Sequence, residues 1–146
     1  MDKVAQEANS SRSLRGGKFE TRIESLLSNL KAEGKIKQFK RKPKIFSGEF
    51  NPDFVIEKNN GEIVSIDSTT TARTDRLRGK QLDAYGTKIY FSEKRKNTRA
   101  FVVVDEIETS KREKDNFRHC KEHCKLPHSA LDDTLSVEGL IALLVD

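Results

Sequence analysis

Two short runs, DFVIEK (53–58) and EIVSID (62–67), flank Asn59-Asn60-Gly61. An Asn-Gly step between β-type runs is a strong hairpin signal, because these residues tolerate the positive φ that a tight turn demands. No other segment constrains the chain as much. Side chains alternate along a strand, so Asp53, Val55 and Glu57 share one face while Phe54 and Ile56 share the other. On the second strand Ile63, Ser65, Asp67 and Thr69 align, opposite Val64 and Ile66. The start of one strand of an antiparallel hairpin lies beside the end of its partner, which makes neighbours of Asp53 and Asp67. Two carboxylates so placed repel each other unless a cation sits between them, and hard oxygen ligands of this kind suit Mg²⁺ or Mn²⁺. The plainer alternative is that both aspartates simply bracket a hairpin, since Asp is common beside turns.

The flanking segments supply the rest of a core. Residues 1–15 are polar and lack periodicity, and read as a flexible lead-in; residues 16–146 read as one domain. Phe19, Ile23, Leu26, Leu27 and Leu30 recur at helical spacing, and Gly34 is placed to stop that helix. Glu20 and Glu24 lie one turn apart beside this stripe, so either is placed to add a third carboxylate. Residues 35–46 hold six lysines or arginines and one proline, enough for a short strand and a loop. Residues 75–86 read as a helix with Leu77, Gln81, Ala84 and Tyr85 on one side. AFVVV (100–104) has the character of a buried strand, and residues 112–125 form a charged helix. Val137, Leu140, Ile141 and Leu144 form a closing helix capped by Ser136. This order of elements predicts one α/β domain.

Charge and apolar content narrow the function classes. At 34% hydrophobic and 35% charged residues, with net charge +5, the chain resembles proteins that meet polyanions. No stretch approaches the roughly 20 apolar residues of a membrane helix, and MDKVAQEANSSRSLRGG has no apolar h-region of a secretory signal. Two cysteines four positions apart fit a reducing, cytoplasmic compartment. His119, Cys120, His123 and Cys124, with His128 beyond Pro127, hold every histidine and cysteine of the chain. Clustering of this kind invites a zinc reading. However, adjacent helical positions diverge by about 100°, so four ligands from one short helix do not converge without help from elsewhere. Partly buried cysteines and surface histidines are the expected arrangement.

The string Asn51-Pro52-Asp53-Phe54-Val55-Ile56, followed after the hairpin by Ile63-Val64-Ser65-Ile66-Asp67-Ser68-Thr69, resembles the PD-(D/E)xK nuclease signature. Gly17-Lys18-Phe19-Glu20 is similar to that superfamily's first-helix pattern. Gln81-Leu82-Asp83-Ala84-Tyr85 resembles the Gln-x-x-x-Tyr motif of RecB-like members. Thr70-Thr71-Ala72-Arg73, with Arg76 and Arg78, resembles the Thr/Arg-rich segment of some restriction endonucleases. The likeness covers roughly residues 15–105 and departs at one point, because Thr69 occupies the position of the catalytic lysine. It implies a restriction-endonuclease-like core, with a central mixed β-sheet flanked by helices. Asp53, Asp67 and Glu20 would hold Mg²⁺ or Mn²⁺. Thr69, Gln81 and a relocated lysine, Lys80 with Lys88 behind it, would complete the catalytic set.

The implied activity is metal-dependent hydrolysis of DNA phosphodiester bonds by an intracellular, cytoplasmic enzyme of a prokaryotic, archaeal or phage setting. Restriction-type cleavage of duplex DNA by a homodimer is the leading expectation. A Holliday junction resolvase, a homing endonuclease or a non-catalytic DNA-binding relative are the alternatives. Basic runs surround the acidic centre: Lys40, Arg41 and Lys42 before it, Arg73, Arg76 and Arg78 after it, then Lys94, Arg95, Lys96 and Arg99. Such residues give affinity for phosphates without sequence information.

Overall fold

The computed structural model describes residues 3–70, 74–105 and 111–146, with side chains described for 17–70, 76–105 and 115–146. A five-stranded mixed sheet forms the centre, in the spatial order β1-β2-β3-β4-β5. The strands are β1 (Gln38–Arg41), β2 (Phe54–Glu57), β3 (Ile63–Thr69), β4 (Thr98–Val104) and β5 (Asp133–Leu135). The first three run antiparallel in turn, and β3, β4 and β5 run parallel. The helices are α1 (Lys3–Ala32), α2 (Thr74–Glu93), α3 (Lys111–Cys124) and α4 (Val137–Val145). This is the expected α/β class, with helices on both faces of the sheet.

Strand alternation divides the core in two. Phe54 and Ile56 of β2, Val64 and Ile66 of β3, and Phe101 and Val103 of β4 meet α1 and α4 on one face. Ala100, Val102 and Val104 meet Leu77 and Ala84 of α2 and Cys120 of α3 on the other. Covering both faces explains why β2 and most of β3 and β4 are buried throughout, as in parallel sheets. Phe19, Ile23, Leu27 and Leu30 all point into the first cluster, with Leu26 at its margin. Gly34, at φ +73, ends the helical stripe as predicted, where the Lys35 N–H reaches the Leu30 carbonyl at 2.9 Å. Gly61 turns the hairpin at φ +88. Ser136 caps α4, its Oγ accepting from the Gly139 N–H at 3.0 Å.

Four details differ from the sequence reading. The backbone is helical from Lys3 rather than from Gly17, since a helix nucleated by the buried stripe propagates along the chain at little cost per added residue. The helix expected over 75–86 runs on to Glu93. Tyr85 does not join Leu77 and Ala84 in the core but stands 58% exposed. A strand at Asp133–Leu135 had no visible signal, being only three residues long.

The loop between β1 and β2 folds back on α2. Phe46 and Ser47 both take left-handed φ values, of 49° and 60°, a conformation that costs about 1–2 kcal/mol for a residue other than glycine. The Phe50 ring lies flat on α2 at Gly86, where a Cβ would run into the ring. Gly86→Ala is therefore expected to destabilise the protein by about 1–3 kcal/mol. Gly79→Ala, on the open side of the same helix, is expected to gain about 0.5–1 kcal/mol. Denaturant titration of the two variants checks both signs.

Candidate active site

The hairpin register places Phe54 opposite Ile66, so one step further out Asp53 faces Asp67 across the pair. The two residues are clamped reciprocally. The Asp53 N–H donates to Asp67 Oδ1 at 3.1 Å. Asp53 Oδ2 in turn accepts from the Ser68 N–H at 2.7 Å and from the Ser68 hydroxyl at 2.9 Å. One oxygen of each carboxylate, Asp53 Oδ1 and Asp67 Oδ2, takes no hydrogen bond among the described residues. The approach to Asp53 is fixed from two sides. Asp83 on α2 accepts the Asn51 N–H at 2.9 Å, and the Lys42 N–H reaches the Asp53 carbonyl at 2.7 Å.

A cleft of about 190 Å³ opens beside Asp53, lined by Glu20, Ser68, Thr69, Arg76 and Lys80, with Phe19 as one wall. Asp67 sits behind Asp53 and is only 5% exposed. Lys80 reaches from α2 to donate to the Ser68 carbonyl at 3.1 Å. Burial raises both aspartates above the usual carboxylate range, and the Lys80 ammonium opposes this for each. For Asp67 burial dominates, the Asp53 and Asp83 carboxylates add to it, and the group is pushed up to about 7.

The expected residues separate into those the fold brings together and those it does not. Asp53, Asp67, Glu20, Thr69, Lys80 and Arg76 converge. Glu20 already holds two cations, Arg41 at 3.0 Å and Lys42 at 3.5 Å, and among the described residues no group of three His, Cys, Asp or Glu is disposed to hold a metal ion. Gln81 turns away: its amide donates to Ser129 Oγ at 2.6 Å and accepts from the Ala130 N–H at 2.7 Å. It pins the loop after α3. Lys88 pairs with Asp132 at 2.9 Å, so Lys80 alone of the two lysines reaches the cleft.

Arg41 points to the opposite sheet face from Lys40, as strand alternation requires, and binds Glu20 and Glu24 of α1. Lys40 and Arg78 are exposed, and Arg73 lies outside the described residues. Part of the third basic run is engaged within the chain, with Lys96 on Glu57 and Arg99 on Glu62. Among the His/Cys residues, Cys120 is buried in the second core cluster, where desolvation pushes its thiol up to about 11. Cys124 contacts the Thr134 hydroxyl at 3.4 Å, and the His119 side chain is 56% exposed.

Ser68 and Asp83 are the residues that sequence reasoning missed. Ser68 had a signal, since the residue after Asp67 must lie within reach of whatever faces Asp67 across the hairpin. Asp83 sat inside the Gln-x-x-x-Tyr likeness, but only the tertiary fold reveals that it supports Asn51 while Gln81 and Tyr85 point elsewhere. Comparison of the chain with protein-family models, with curated proteins and with solved structures gives no match.

The raised Asp67 value fixes a pH dependence. Between about pH 4 and pH 7 the folded state keeps a proton that the unfolded chain has released, so stability falls as pH rises through this window. Below it the effect is absent, and above it the loss is complete. Asp67→Asn retains the acceptor for the Asp53 N–H and removes the titration. In metal-free buffer the variant is expected to gain on the wild type by a few kcal/mol between pH 4 and pH 8, read from urea unfolding at the two values. A difference that does not change with pH contradicts the assignment.

Proposed function

We propose that the chain is a Mg²⁺-dependent endodeoxyribonuclease of the PD-(D/E)xK type, cutting DNA phosphodiester bonds in the cleft at Asp53. The single observation that carries this reading is the register-paired Asp53 and Asp67, held in a buried setting with Lys80 beside them. The mixed sheet covered by helices on both faces suits the restriction-endonuclease-like core. Arg76 at the rim offers a fork of N–H donors to a phosphate.

The donor set fits a divalent ion. Asp53 Oδ1 and Asp67 Oδ2 are the oxygens that would hold Mg²⁺ or Mn²⁺, and Glu20 would join them on release from Arg41 and Lys42. Both carboxylates are raised by burial, Asp67 to about 7, which is the mark of a pair whose charge Lys80 offsets only in part. A divalent ion there supplies the remaining counter-charge, neutralises the scissile phosphate and acidifies a bound water. The chain's own groups do the rest. Ser68 holds the Asp53 carboxylate in one orientation, and Phe19 walls off one side of the cleft from water. Lys80 provides the fixed cation that Thr69 cannot, in the manner of a donor aimed at developing negative charge.

Restriction-type cleavage of duplex DNA is the preferred branch, with a resolvase or a homing endonuclease as the alternatives. Thr69 favours a second reading, a DNA-binding relative with a lost active site. Supercoiled plasmid, linear DNA and a four-way junction incubated with Mg²⁺, Mn²⁺ or EDTA separate these. Cleavage that needs metal is expected, slowed about 10³-fold or more by Asp67→Ala and about 10²–10³-fold by Lys80→Ala, with DNA binding retained in both. Binding without cleavage of any substrate selects the non-catalytic reading.

A second copy of the chain is the partner that α2 suits. Arg78, Leu82, Tyr85, Ile89 and Glu93 follow at steps of four and three residues, which puts them on one helix face. Leu82, Tyr85 and Ile89 are 57%, 58% and 36% exposed. The stripe is self-complementary: antiparallel packing about Tyr85 sets Leu82 on the partner's Ile89 and Arg78 on the partner's Glu93. Sedimentation is expected to find a dimer, dissociated by Leu82→Glu. Arg78→Glu should weaken it and the double swap Arg78→Glu, Glu93→Arg should restore it, whereas a wild-type monomer rejects the interface.

A further inference from the structure

A second concavity, of about 260 Å³, lies at the far end of α2, between that helix, the edge strand β1 and β2. Its walls are apolar and aromatic, from Val55, Ile63, Tyr90 and Phe91. Tyr90 is held edge-on between two rings, Phe46 at 5.3 Å and Phe91 at 5.1 Å. The strained Phe46 turn thus has a structural use, since it fixes this wall. Two polar groups face the space, the Gln38 amide and the Glu57 carboxylate, linked at 3.1 Å. Four lysines line it: Lys40, Lys44, Lys94, whose ammonium lies 4.1 Å from the centre of the Tyr90 ring, and Lys96, which is held on Glu57 at 3.1 Å. Lys40 and Lys44 are exposed and make no ion pair among the described residues.

An aromatic wall, two fixed polar groups and a cationic rim are the features of a site for a planar group attached to phosphate. The volume falls below the roughly 300–1,000 Å³ of drug-sized sites, so one base fills it and a duplex does not. Its position relates it to the cleft. Val55 and Glu57 lie on the same sheet face as Asp53, and four residues of strand span about 13 Å, close to four steps of a DNA strand at about 3.4 Å each. Alternation along β1 sends Lys40 to this pocket and Arg41 to the opposite face, while Lys42 returns to the cleft beside Glu20. Cations thus mark both ends of the path.

We infer that this pocket receives an unpaired nucleotide of the strand that is cut at Asp53, so that the substrate is DNA with a single-stranded segment next to the scissile position. The inference rests on the nuclease reading above and moves it from the restriction-type branch preferred there to branched, flapped or overhanging DNA. It assigns separate tasks to the two basic stretches: Arg76 and Lys42 hold the phosphates at the cleft, and Lys40 and Lys44 hold those flanking the captured base.

Binding in EDTA, where no cleavage occurs, tests this apart from the chemistry. Three probes are used: a blunt duplex, the same duplex with a four-nucleotide overhang, and the overhang form carrying 2-aminopurine at each overhang position in turn. The overhang form is expected to bind about tenfold tighter than the blunt form, with the fluorescence change confined to one position. Tyr90→Ala should remove most of that preference, within the roughly 5- to 100-fold range that base–aromatic stacking commands. Because Tyr90 supports Phe46, Lys40→Ala with Lys44→Ala is the second variant, and it should weaken overhang binding with blunt-duplex binding little changed. Equal affinity for the two DNAs and no positional fluorescence signal overturn the pocket assignment and leave the nuclease reading standing. Failure to bind any of the three overturns both.

Discussion

The structure turns on the reciprocal clamp between Asp53 and the end of β3. An N–H from one strand meets a carboxylate from the other, and the second carboxylate returns to the Ser68 N–H next along. Each bond completes a backbone or side-chain requirement that burial would otherwise leave unmet, at a cost of about 1–3 kcal/mol per orphaned group. The clamp therefore fixes the register beyond the last regular pair of the hairpin, and with it the location of both acids. Every other element of the cleft is placed relative to this point: Lys80 through the Ser68 carbonyl, Lys42 through the Asp53 carbonyl, and α2 through the Asp83–Asn51 contact.

Burial gives this arrangement its electrostatic character. Desolvation outweighs the Ser68 hydrogen bonds and the Lys80 ammonium at Asp53, and the Lys80 ammonium at Asp67, so both are raised. The clamp leaves one oxygen on each residue with no hydrogen bond among the described residues. A pair of this kind is poorly satisfied by protein alone and well suited to a cation brought from solution. Arg41 and Lys42 treat Glu20 differently, holding it at the cleft edge with its charge already compensated.

Features set by local periodicity were legible in the sequence. The stripe from Phe19 to Leu30, the Asn59-Asn60-Gly61 turn, the facing of Asp53 and Asp67, and the Ser136 cap each depend on a few neighbouring residues. Features set by which side of an element meets what were not. On α2 the apolar residues form two stripes, Leu77 and Ala84 toward the sheet and Leu82, Tyr85 and Ile89 toward solvent; composition alone does not separate them. Gln81 and Lys88 followed a motif likeness, but each is engaged by the segment leading into β5, an element with too few residues to announce itself. Lys80 was singled out as the lysine beside Gln81 on the next helix, and its position is legible to that extent: its ammonium reaches the Ser68 carbonyl at the cleft.

The basic run through β1 carries a further consequence. Three consecutive cations, Lys40, Arg41 and Lys42, look interchangeable as a charge cluster, yet the two-residue period of the strand sends Lys40 and Arg41 to opposite faces, with Arg41 on Glu20 and Glu24 of α1. Lys42, just past the strand end at φ 48°, turns back to Glu20. Exchange of lysine for arginine within this run alters little of that sorting. Insertion or loss of one residue inverts it, stranding Glu20 and Glu24 without Arg41 and turning a cation into the Phe39–Phe54 contact. In evolutionary terms the segment is free in spelling and rigid in length. Its descendants should drift in composition while keeping the same number of residues between Gly34 and Asp53.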